Sequence, residues 1–139
     1  MDMTSKLQVP AELQNLGVIR RFIQETAIAL GSDRIAVDDM LQAVEEAAAN
    51  IVVHGYGGQP GDIEVEVSLE QTMLVVRLRD DAAFFDPTRI PPPDLTRPLE
   101  ERRLGGLGIH LARYFTDSMT YRVTDDGRNE LTLRRKIGS

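Results

Sequence analysis

From about Asp33 to His54, the residues Val37, Met40, Leu41, Val44, Ala47, Ala48 and Ile51 recur at spacings of three and four. That is the period of a helix apolar along one stripe, and Gly55 is placed to end it. Such a stripe is stable only when another layer of structure covers it, which rules out an isolated helix or an extended chain. A helix of the same rhythm comes first, over Ala11 to Leu30. There Leu13, Leu16, Val18 or Ile19, Phe22 or Ile23, Ala27 and Leu30 repeat ahead of Gly31. Two amphipathic helices in succession therefore need a common partner.

The partner lies further along the chain. After the turn-forming run Gly57-Gly58-Gln59-Pro60-Gly61, the segments Asp62 to Leu69 and Met73 to Leu78 have strand character and read as a hairpin around Glu70-Gln71-Thr72. Met119 to Val123 and Glu130 to Lys136 read as two more strands joined at Asp125-Asp126-Gly127, and Gly108 to Phe115 as a short third helix. Lys6 to Val9, closed by Pro10, suits a first strand or an extended arm. The order β-α-α-β-β-loop-α-β-β predicts an α/β sandwich, a mixed and mostly antiparallel sheet covered on one face by helices. A length of 139 residues fits one domain over 1–139 with a single core. From Asp80 to Gly106 the periodicity is lost and Pro87, Pro91, Pro92, Pro93 and Pro98 accumulate, which marks a functional or mobile loop.

Composition removes several function classes. With 16 basic against 22 acidic residues the net charge is -6, unsuited to a direct nucleic-acid binder, which needs a concentrated positive surface. There is no cysteine, and the isolated His54 and His110 cannot build a usual zinc centre. Neither a signal-peptide core nor an apolar stretch of about 20 residues is present. A cytoplasmic protein with no membrane partner is expected.

Three features carry chemistry. Glu46 and Asn50 lie four positions apart on the second helix, so they project from one face a turn apart. A carboxylate can take a proton from a hydroxyl, and an amide oxygen suits magnesium that carries phosphates. Spacing alone equally fits a solvated helix face shared with Asp39, Gln42 and His54. Asp80 follows the apolar run Met73 to Leu78 and is placed to accept a hydrogen bond from a purine amino group, or else to serve as a turn residue. Gly105-Gly106-Leu107-Gly108 opens the third helix, where bare backbone N–H groups attract anions, although no P-loop Lys-Ser or Lys-Thr follows. Arg102 and Arg103 just before it add positive charge, with solvation as the alternative reading.

Taken in order, these features resemble the GHKL nucleotide-binding fold, the Bergerat-type fold of gyrase, MutL and histidine kinases. Glu46-Ala47-Ala48-Ala49-Asn50 followed by Ile51-Val52-Val53-His54-Gly55-Tyr56 is similar to the N box of the anti-sigma-factor serine kinases. Arg79 to Pro87 resembles the first glycine box, Gly105 to Arg113 the second, and Asn129-Glu130-Leu131-Thr132-Leu133 the closing strand. The resemblance implies Glu46 as catalytic base and Asn50 as magnesium ligand. It implies Asp80 as acceptor for the adenine amine, Gly105, Gly106 and Gly108 as lid and phosphate contacts, Thr132 near the adenine, and an ATP lid over about 80–106. It further implies a serine/threonine-protein kinase using ATP and Mg2+. The expected substrate is a serine of a STAS-domain anti-anti-sigma protein, and a homodimer would sequester a sigma factor. Ala82 departs from the family pattern, standing where the first box has Gly; a methyl there either tightens the pocket beside the adenine or, if positive φ is required, forces the backbone to adjust, and nucleotide affinity is the property at stake.

Two other functions fit the same residues: a regulator that binds ATP and sequesters partners without transfer, and an interaction module with a vestigial pocket. A histidine-kinase fragment fits poorly, because the helix from Ala11 to Leu30 offers no phosphoacceptor His.

Overall fold

The computed structural model describes residues 4–90 and 104–138, with residues 104–107 described by their backbone. Strand β1 (Thr4–Pro10) leads into helices α1 (Leu16–Leu30) and α2 (Arg34–Asn50). The hairpin β2 (Asp62–Glu70) and β3 (Met73–Asp80) follows, then α3 (Leu104–Tyr114) and the pair β4 (Ser118–Val123) and β5 (Asn129–Lys136). The five strands form one sheet in the order β1-β2-β3-β5-β4, and every pairing is antiparallel.

Alternation along the strands explains the layering. Ile63, Val65 and Val67 of β2, Leu74, Val76 and Leu78 of β3, and Leu131 and Leu133 of β5 share one face and pack with Ile23, Met40, Val44 and Ala48 from the helices. Burying side chains such as Ile23, Met40, Ile63 and Leu78 completely contributes about 1.5–3 kcal/mol each. The other face carries charge. Arg79 donates to Glu64 at 2.6 Å and to Glu130 at 2.7 Å, with Glu66 beside it at 3.3 Å. Burial alone would lower the Arg79 pKa, but its three carboxylate partners raise it above the ordinary guanidinium value.

Element boundaries differ from the sequence expectation for local reasons. The first helix starts at Leu16 and not at Ala11, because Glu12 is still extended, and the Ala11 N–H bonds the Gly61 carbonyl at 2.8 Å. A 3-10 turn at Leu13–Asn15 bridges the two. Asp33 caps α2, accepting from the Ala36 N–H at 3.2 Å. Regular α-helix stops at Asn50, and Ile51–Tyr56 widens into a π-helical turn ended by Gly57 at φ 58°, two residues beyond the expected Gly55. Strand β3 runs to Asp80, in register with Ile63 and Asn129. Of the expected lid, residues 91–103 lie outside the described residues; Asp86 holds the part before them, accepting from the Thr88 N–H at 2.9 Å above a 3-10 turn at Pro87–Arg89. Among the described residues, no helix is long and apolar enough to cross a membrane.

Candidate nucleotide site

The last turn of α2, the π-helical turn, the end of β3 and the start of β5 converge on a pocket of about 420 Å³, counted to its open mouth. Ala47, Ile51, Phe85, Ile109 and Leu131 give it apolar walls, and Asn50, Asp80 and Asn129 bring polar groups into it. An apolar cleft with a few converging polar groups is the usual form of a small-molecule site. A single π-helical turn placed directly after such a polar residue is also a feature frequent at functional sites.

Asp80 is the most constrained of the polar groups. It is 6% exposed, and its Oδ1 accepts from the Asn129 side chain at 2.9 Å and from the Ala82 N–H at 3.0 Å. Among the described residues its Oδ2 has no hydrogen-bond partner, which leaves one acceptor for a ligand donor. Burial raises the carboxyl pKa above its ordinary value, opposed by the Asn129 and Ala82 hydrogen bonds.

Asn129 is a site residue that motif reasoning misses. Its Nδ2 also donates to the Ala82 carbonyl at 3.0 Å, while its Oδ1 accepts from the Phe85 N–H at 3.4 Å and from the Tyr121 hydroxyl. It thereby ties β5 to Asp80 and to the backbone of residues 82–85. Thr132, expected near the adenine, is on the opposite face of the sheet, lining a separate concavity with Arg77, Thr120 and Arg134. Strand alternation is the reason: position 129 shares the helix-facing side with Leu131 and Leu133, and position 132 does not.

Ala82 fits without strain. It has no positive φ, and its methyl packs over Gly55, where a β-carbon would lie 3.3 Å from the Ala82 Cβ. The methyl gained at 82 occupies room that the glycine at 55 leaves open.

Asn50 lines the pocket from the end of α2, and Glu46 is half-buried one turn earlier. The Glu46 carboxylate lies against Gly108 of α3, where a β-carbon would sit 2.9 Å from Oε2. Gly105 and Gly106 lie in the first turn of α3, which begins four residues before the expected Gly108. The first four N–H groups of a helix lack partners within it, which includes those of Gly105 and Gly106, whereas that of Gly108 belongs to the helix ladder. Arg102 and Arg103 lie outside the described residues.

Among the described residues, no group of three or more His, Asp or Glu side chains is arranged to hold a metal. Asn50 lines the pocket, and its side-chain amide, which carries an oxygen able to ligate a cation, has no hydrogen-bond partner among the described residues. That donor set suits a cation that arrives with phosphates and keeps its waters, as magnesium does, and not one needing a full protein cage.

A family model described as a histidine kinase-like ATPase domain matches residues 9–135. The serine-protein kinase RsbW of Bacillus cereus (strain AH820) is 27% identical over 133 residues, spanning 93% of this chain and 82% of the relative. The protein of the same name from Bacillus thuringiensis (strain Al Hakam) aligns to the same extent. Among solved structures, the crystal structure of the RsbU and RsbW domains of a Mycobacterium tuberculosis protein superposes with a TM-score of 0.68 at 17% identity. It covers 96% of this chain and 32% of that longer one, a likeness of fold.

Proposed function

The chain belongs to the histidine kinase-like ATPase domain family, and on that premise we propose that it is an ATP-dependent serine/threonine-protein kinase and anti-sigma factor. The observation that carries this reading is one pocket lined by a buried acceptor, Asp80, and the side-chain amide of Asn50, with Glu46 one helical turn away. In this reading the whole chain is a single ATPase domain acting in the cytoplasm.

Asp80 Oδ2 accepts from the adenine amine, and the Gly105 and Gly106 N–H groups meet phosphate oxygens at the start of α3. Asn50 would hold magnesium through its side-chain oxygen, and the ion would supply positive charge to the phosphates. Glu46 takes the proton from a serine hydroxyl of a STAS-domain anti-anti-sigma partner. The freed oxygen bonds to the γ-phosphorus as the bond from that phosphorus to the bridging oxygen breaks, leaving ADP. The segment 80–106 serves as the lid, and a homodimer sequesters the sigma factor.

The test combines magnesium-ATP calorimetry with transfer of labelled γ-phosphate to STAS-domain proteins from the same genome. Saturable ATP binding and label on a partner serine are expected. Absence of ATP binding overturns the reading; binding without transfer to any partner favours a regulator that uses ATP only as a ligand.

A further inference from the structure

Tyr56 ends the π-helical turn and is 8% exposed, although it is not part of the pocket wall. Its hydroxyl donates to the Asp62 carbonyl at 2.7 Å and accepts from the Asp81 N–H at 2.8 Å. Its ring presses on Gly61 so closely that a β-carbon there would lie 2.1 Å from Cε1. Gly61 has no positive φ, so close approach of the ring, and not a left-handed turn, is what requires glycine at this position.

One phenol oxygen thus joins three segments: the helical turn that continues from Asn50, the start of β2, and the first residue beyond β3. The last ladder pairs of β3 are Asp80 with Ile63 and Asp80 with Asn129, so the Asp81 N–H lies past the sheet register and Tyr56 takes it up. Because Asp81 follows Asp80 directly, fixing its backbone fixes the direction from which the Asp80 carboxylate enters the pocket.

We infer that Tyr56 is a positioning residue that sets the purine selectivity of the site, by tying the helix end that bears Asn50 to the strand end that bears Asp80. The inference rests on the ATP reading above. Burial raises the Tyr56 pKa, which keeps the hydroxyl protonated and able to donate and accept at once. A role confined to stability would weaken all nucleotides alike. A positioning role weakens those that use the Asp80 acceptor more than those that do not.

The experiment compares wild type with Tyr56→Phe, which keeps the ring against Gly61 and removes only the oxygen. Magnesium-ATP and magnesium-ITP affinities are measured by calorimetry, since inosine lacks the amine that Asp80 would accept from. The ATP-to-ITP affinity ratio is expected to fall about tenfold, the worth of one hydrogen bond. Hydrogen exchange at the Asp81 amide of the free protein is expected to quicken by about the same factor. Gly61→Ala, which must displace the ring from its other side, is expected to reproduce the selectivity loss, with thermal melting confirming that each variant is folded. A ratio unchanged in folded Tyr56→Phe, or Asp81 exchange at the wild-type rate, overturns the inference while leaving the ATP reading intact. A wild type that binds neither nucleotide, or both equally, instead overturns the assignment of Asp80 to the adenine amine and the selectivity inference with it.

Discussion

Gly108 of α3 faces Glu46 of α2 so closely that a β-carbon at 108 would stand 2.9 Å from the carboxylate Oε2. The backbone N–H of Gly108 lies within the helix and its missing side chain gives the carboxylate room, so in the proposed function phosphate contact is assigned to the turn before it. Gly108→Ala is therefore expected to displace Glu46 and lower the rate of phosphoryl transfer at least tenfold, while ATP affinity changes less than about threefold. Parallel single-turnover transfer and calorimetry on one preparation check this. Equal losses in binding and transfer would assign Gly108 to the phosphates.

Asp80→Asn is expected to stabilise the free protein near neutral pH while weakening ATP. Burial holds the folded carboxyl above its ordinary value, so between the unfolded and the folded value the native state keeps a proton that the unfolded chain has released. Its contribution to stability is full below the unfolded value and is lost as pH rises through the folded one. Urea unfolding from pH 4 to pH 8 should show the variant gaining on wild type as pH rises. Parallel curves would show that the buried carboxylate carries no such cost.

Asn129→Ala removes the amide that holds Asp80 Oδ1, the Ala82 carbonyl and the Phe85 N–H. Losing the buried donor to Asp80 Oδ1 is expected to cost about 1–3 kcal/mol in denaturant unfolding and to reduce ATP affinity. Thr132→Ala, on the other face of the sheet, is expected to leave ATP affinity unchanged. A reversed order of effects in calorimetry would return Thr132 to the site.

Much of the fold was legible because periodicity reports burial directly. The stripe from Val37 to Ile51 and the alternation in β2 and β3 placed both layers, and the family resemblance singled out Asn50 and Asp80, which line one pocket. What the sequence concealed depends on contacts distant along the chain. Glu12 stays extended after the Ala11 N–H bonds the Gly61 carbonyl, so α1 starts later, and the π-helical turn carries the helix end past Gly55 to Gly57. The role of Asn129 needed the register that sets it opposite Asp80, and the fit of Ala82 needed its contact with Gly55. Face alternation around Leu131 and Leu133 was available as a signal and separates Asn129 from Thr132.

The central claim is that Glu46 acts as the base beside a nucleotide held by Asn50 and Asp80, and Glu46→Gln tests it most directly. An amide keeps the size of the carboxylate against Gly108 but cannot take the serine proton. The measurement is transfer of labelled γ-phosphate to a STAS-domain partner, beside magnesium-ATP affinity on the same protein. The account predicts ATP affinity within about threefold of wild type and transfer reduced by about 100-fold or more. Transfer at the wild-type rate with unchanged affinity would contradict it.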